Sequence, residues 1–238
     1  MQFSDTVGGT GGVQQVRNMC RVDASQWSTV RIVNSYNNWL DTVTGYAIGA
    51  DRRFEFDDSN HSKLPIGTTN LVANQSDYSF LTDEQGNSIL NLTRIDLLDQ
   101  YGNYQKLIPI SESDISIALD EFEKDAGTPL YYDKIADNII RLYPKPSTNI
   151  TAGLKFYFQR TGSYFEATDT TKEPGVSPLL HRGFVIASAY DCALTLGLQN
   201  LQPLSIELQK EEAKMKQYFA IRNTDEVAVM TPTSVCSI

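Results

Sequence analysis

The sequence predicts an α+β fold: a helical bundle, built from an N-terminal helix plus two C-terminal helices, carrying an inserted antiparallel β-sandwich or barrel-like domain. Three observations predict it. Apolar residues recur at helical spacing near both ends, residues from about 53 to 160 break into short runs separated by turn residues, and residues 179–196 are apolar on nearly every side. The resulting boundaries are a flexible glycine-rich arm over 1–22, a helical body over 23–52 and 177–222, a β-rich insertion with one short helix over 53–176, and a C-terminal tail over 223–238.

Gly8-Gly9-Thr10-Gly11-Gly12 has no period that would bury a face, so the N-terminal arm is expected to be flexible. A helix is expected from Asp23, which forms a capping box with Gln26. Trp27, Val30, Val33 and Leu40 line one face, and Gly45 and Gly49 end it.

Strand signals follow. Arg53 to Phe56 alternates, Asn70 to Ala73 is a short apolar run, and Asp77 to Leu81 alternates before a turn at Gln85-Gly86-Asn87. Ser88 to Leu98 and Tyr104 to Ile110 form a hairpin across Gln100-Tyr101-Gly102-Asn103. Ile115, Leu119 and Phe122 step by four and three, which places a short amphipathic helix over Ser111 to Lys124. Strands resume at Leu130 to Asp133, Asn138 to Tyr143 and Ala152 to Gln159.

Ser177 and Pro178 open the helix through Leu196, expected to be central and buried, and Gly197 stops it. Ser205 caps a last helix, Ile206 to Arg222. Ile206, Met215, Tyr218 and Phe219 face inward, with Glu207, Lys210, Glu211, Lys214 and Lys216 outside. The tail keeps Val227, Val229, Met230, Val235 and Ile238 but has no pattern long enough to fold alone. Apolar side chains left in water invite association, so these five are the candidate partner-binding residues.

Composition narrows the function. The 238 residues are 41% hydrophobic and 21% charged, an ordinary globular balance, and bury enough surface to fold without disulfides or metal. Twenty basic against twenty-nine acidic side chains leave a formal charge of −9, which argues against a protein that grips DNA or RNA. Cys20, Cys192 and Cys236 are far apart and imply neither a disulfide framework nor a zinc ribbon. Residues 1–12 have no basic or apolar signal region, and no run is long enough for a bilayer, so a soluble protein made in a reducing cytoplasm is expected.

Catalytic patterns are sparse. His61 and His181 are the only histidines, and no phosphate-cradling glycine frame or G-x-S-x-G elbow occurs. His181 is read as a cap or interface hydrogen-bonder. The paired acids Asp57/Asp58 and Glu121/Glu123 are read as solvated surface rather than a glycosidase pair. No catalytic, metal or cofactor site is expected, and no enzyme activity. Tyr131, Tyr132, Tyr143, Phe156, Tyr157, Phe158, Tyr164 and Phe165 could form a sugar- or base-stacking platform, though core or interface packing is the expected use.

One stretch carries a resemblance. Gly127-Thr128-Pro129-Leu130-Tyr131-Tyr132, then Asn138 to Tyr143 with Pro144-Lys145-Pro146, then Leu154-Lys155-Phe156-Tyr157-Phe158 and a helix with Ala187, Ala189 and Ala193, resembles the head-to-tail adaptor proteins of tailed bacteriophages. The hairpin closing on Leu107-Ile108-Pro109-Ile110 and the opening helix with Trp27 and Asn34 are also similar. The glycine-rich arm and the apolar tail depart from the family. The resemblance implies a virion structural protein at the head–tail junction, a homo-oligomeric ring, usually of twelve copies, formed by the helical body. It implies docking to the portal protein, here through the tail, and to a downstream tail, stopper or nozzle protein. DNA would pass the lumen without specific binding. Twelve copies of a −9 chain carry roughly 108 negative charges, which would repel the DNA backbone. The alternative reading is a phage tail or surface β-sandwich module that recognises carbohydrate through its aromatics.

Overall fold

Helical spacing at the ends and alternation in the middle sort the chain into two units in the computed structural model, which describes residues 1–5, 7–50, 66–83, 86–99, 101–111, 115 and 125–220. Unit 1 takes in Met1–Phe54, Glu166–Lys172 and Pro178–Ile238, and unit 2 takes in Glu55–Phe165 and Glu173–Ser177. Among the described residues there are four α-helices and two four-stranded sheets, with no closed barrel, so the fold is α+β.

In unit 1 the first helix is one the sequence reading missed. Residues 1–22, expected to be a flexible arm, contain α1 (Gly12–Cys20), and Phe3 is fully buried. Its backbone N–H donates to the Lys172 carbonyl at 2.7 Å, and the Ser4 N–H donates to Thr170 at 3.0 Å. The glycines serve close approach here, not freedom. A side chain at Gly11 would strike the Asp5 backbone, and one at Gly12 would strike the Tyr36 hydroxyl. Asp5 closes the loop: its carboxylate accepts from the Val7 and Gly8 N–H groups and the Thr10 hydroxyl. The Gly8 and Thr10 hydrogen bonds hold that carboxyl below the usual range.

The capping box at Asp23 and Gln26 forms, but around a separate turn. Asp23 Oδ1 accepts from the Ser25 and Gln26 N–H groups, and Gln26 Oε1 accepts from the Asp23 N–H. The helix proper is α2 (Thr29–Ala50). It runs past Gly45 because Val43 and Ala47, both buried, anchor either side of it. Val30, expected inside, is exposed. The inward face is Ile32, Tyr36, Trp39, Leu40, Val43 and Ala47.

After a short 3-10 turn at Pro178–Leu180, α3 (His181–Leu196) buries His181 and every residue from Gly183 to Ala189, with Cys192 and Ala193. Leu194 and Leu196 in its last turn are exposed, and Gly197 ends it in the left-handed region at φ +63°. The last helix, α4 (Leu201–Ala220), starts earlier than Ser205. Pro203 falls in its first turn, where no backbone N–H is needed. Its buried face is Leu204, Glu211, Met215 and Phe219; Ile206 is exposed. Glu211, expected outside, lies inward with Arg182 Nε 3.7 Å and Lys214 Nζ 3.3 Å from its carboxylate.

Unit 2 holds β1 (Ile66–Leu71), β2 (Asp77–Ser79), β3 (Ile89–Leu98), β4 (Tyr104–Lys106), β5 (Ile108–Pro109), β6 (Tyr131–Ala136), β7 (Ile139–Tyr143) and β8 (Ile150–Arg160). One sheet has the order β1-β8-β3-β4 and the other β2-β7-β6-β5. All pairs are antiparallel except β5–β6. Alternation gives the register its meaning: Leu154 opposes Leu97 and Phe156 opposes Ile95, all inward. These meet Tyr78, Phe80, Ile140 and Leu142 of the second sheet in one core, as a sandwich requires. The expected hairpin forms only over Asp96–Leu98 and Tyr104–Lys106, with Leu98 opposite Tyr104 and Gly102 at φ +82°; the expected second strand breaks at Leu107, which is buried, and Ile108–Pro109 pairs with β6 in the other sheet. The strand expected at Arg53 to Phe56 and most of the Ser111–Lys124 helix lie outside the described residues.

Candidate assembly surface

The helical unit is built around Tyr36. The ring of Phe3 meets it edge-on at 5.2 Å and that of Phe184 at 5.5 Å, so the N-terminal segment, α2 and α3 share one aromatic centre. Helices packed this way fill their inward stripes and leave the remainder for solvent or a partner. Outside those stripes, Val30 of α2 is 57% exposed and Leu194 of α3 is 56% exposed.

Next to Leu194 lies a cleft of about 340 Å³ lined by Trp27, Arg31, Asn34, Ser35, Asp191 and Thr195. The Arg31 guanidinium sits over the Trp27 ring, 5.1 Å from its centroid. Trp27 itself is buried, and its indole N–H has no hydrogen-bond partner among the described residues. A cation held flat on an aromatic, beside an aliphatic rim, suits recognition of a protein segment.

Other singled-out residues are placed as follows. His181 is buried at the start of α3 with Nδ1 2.8 Å from the Met1 amine, a hydrogen-bonding position. Cys20 and Cys192, distant in sequence, face each other across α1 and α3 as free thiols. Asp57, Asp58, His61, Glu121 and Glu123 lie outside the described residues, as do the candidate partner-binding residues Val227, Val229, Met230, Val235 and Ile238. Among the described residues no group of three or more His, Cys, Asp or Glu side chains is placed to hold a metal ion.

The aromatics divide between core and surface. Tyr143, Phe156, Phe158 and Phe165 are buried, and Tyr132 packs against the sandwich core. Tyr157 and Tyr104 lie on the outer face of the first sheet, with the Lys155 ammonium 5.5 Å and 4.9 Å from their ring centroids.

Two segments of the β-unit, at Gly127 and at Pro144 to Ser147, come together in space. Gly127 pairs with Pro146: its N–H donates to the Lys145 carbonyl at 2.8 Å, and the Ser147 N–H donates to the Gly127 carbonyl at 3.0 Å. A side chain at Gly127 would press to 3.2 Å on the Pro144 ring, which is why glycine stands there. The loop before β6 and the proline-punctuated exit of β7 are thus one structural unit. No protein-family model matches the chain, and no curated protein matches it.

The Trp27–Arg31 cleft was missed in the sequence. Its signal was present as an aromatic and a cation four residues apart, with the exposed Val30 between them.

Proposed function

We propose that this chain is a structural head-to-tail adaptor of a tailed bacteriophage. It forms a ring, usually of twelve copies, beneath the portal, extends the DNA channel and joins the tail. The observation that carries this reading is the paired Gly127-Thr128-Pro129 and Pro144-Lys145-Pro146 segments, which resemble the adaptor pattern and meet through reciprocal backbone hydrogen bonds. The chain order supports it too, since a helical unit is left, a β-unit is built, and the helical unit is re-entered.

A closed ring needs two different patches on each subunit, joined head to tail. The Trp27–Arg31 cleft with the exposed Leu194 at its edge is a candidate for one such patch on the helical unit. The net charge of −9 suits a channel that DNA slides through, because a basic lining would hold the phosphates. No helix among the described residues is long and apolar enough to cross a membrane. The protein has no turnover in this reading; it is made in the host cytoplasm and resides at the head–tail junction.

The tail supplies the portal contact, with Val227, Val229, Met230, Val235 and Ile238 as anchors along an exposed edge of the partner. Deleting residues 225–238 is expected to leave the melting temperature nearly unchanged and to abolish capture by portal particles in a pull-down. Capture of the truncated chain at full affinity would remove the tail from the interface.

A further inference from the structure

Unit 2 carries a cleft of its own. It measures about 310 Å³, at the lower end of the roughly 300–1,000 Å³ typical of small-ligand sites. Its floor is aliphatic, formed by Leu71, Leu97 and Ile150. Above the floor stand Thr128 and, from the loop after β7, Ser147 and Thr148. All three are exposed, and their hydroxyls have no partner among the described residues.

The remaining wall is the β3–β4 hairpin. Tyr101 stands at its tip, 79% exposed, an unusual position for an aromatic ring with nothing to cover. It is held there by Asp99, whose Oδ1 accepts from the Tyr101 and Asn103 N–H groups at 2.8 Å each, while Oδ2 accepts from Gln105 Nε2 at 3.0 Å. Gly102 at φ +82° makes the turn.

This chemistry selects the ligand class. No lysine or arginine lines the cleft, so a phosphate or sulfate would find no counter-charge. Asp99 is the single charged residue in the lining, and its carboxylate is committed to its own loop, so a cation gains little. A purely apolar ligand would strip water from three hydroxyls and return no hydrogen bonds. A pyranose satisfies all three conditions, since its C–H face stacks on a tyrosine ring and its hydroxyls both donate and accept at the rim. We propose that this cleft binds a neutral saccharide of one or two rings, stacked on Tyr101 and hydrogen-bonded by Thr128, Ser147 and Thr148. The site lies within one β-unit, so it does not depend on the ring reading and stands or falls separately from portal binding.

The test uses the full chain and saturation-transfer NMR, with the methyl glycosides of glucose, mannose, galactose and N-acetylglucosamine as probes at millimolar concentration. At least one probe is expected to receive transfer at its ring C–H protons. Tyr101→Ala should weaken that binding by about tenfold, the worth of one aromatic stack, while Tyr101→Phe retains it. Because Tyr101 is exposed, neither variant should shift the melting temperature, which separates loss of the site from loss of the fold. Absence of transfer to all four probes, transfer unaltered by Tyr101→Ala, or displacement of the bound glycoside by inorganic phosphate would each overturn the proposal.

Discussion

Cys20 sits at the end of α1 with its thiol 3.3 Å from the Ala189 carbonyl, to which it donates. Burial first, and the neighbouring Cys192 second, push its pKa up to about 12; burial also raises Cys192. A thiol attacks as the thiolate, so at pH 8 almost none of the reactive form of Cys20 exists in the folded protein. In a native Ellman titration at pH 8, Cys20 and Cys192 are expected to stay unlabelled and to react only on addition of denaturant. Rapid native labelling of either would mean that the α1–α3 contact opens readily. The N-terminal segment is anchored by Phe3, fully buried against Tyr36 of α2, so Phe3→Ala should cost about 3–5 kcal/mol. Chemical denaturation would register that loss, whereas a flexible arm would give no change.

Between α2 and α3 the decisive residue is Gly183. A Cβ there would lie 2.9 Å from Trp39 Nε1 and 3.1 Å from its Cζ2, and the buried indole has little room to retreat. Gly183→Val should destabilise by about 2 kcal/mol or more, overpacking outweighing any gain in helix propensity. Gly45 is the control. It lies exposed in mid-helix with nothing within 4 Å of the added Cβ, so Gly45→Ala should stabilise by about 1 kcal/mol. Thermal melts of the two variants should move in opposite directions; a neutral Gly183→Val would show that the helices are not in close contact there.

These glycines also show what was legible in the sequence. The strands, the 98–104 hairpin and the buried first turns of α3 follow from alternation and apolar density, which are local properties. The failures are all tertiary. Gly11 and Gly12 read as flexibility because sequence does not reveal that Tyr36 and Asp5 crowd them. Gly45 read as a stop because the anchors Val43 and Ala47 count only once α3 and α4 are in place. Ser205 read as the cap of the last helix, although α4 starts at Leu201 because the first turn of a helix tolerates Pro203. Of the candidate surfaces, the exposed Val30 and Leu194 looked like core, since an apolar residue on a helix does not declare which side its neighbour takes.

At the scale of the whole molecule, the helical unit holds an aromatic centre and a cleft at Trp27 and Arg31, while the β-unit has a sandwich core of its own and a polar-rimmed cleft. Such a division suits a protein that assembles through one unit and presents the other. The central claim is assembly, and mass determination of complexes formed with portal tests it most directly. If the proposed function holds, the chain mixed with a tailed-bacteriophage portal protein is expected to give particles in which a ring of its subunits caps the portal, visible by negative-stain imaging and matched in mass. A chain that stays monomeric, leaving portal particles unchanged in mass and outline at micromolar concentration, would contradict the account.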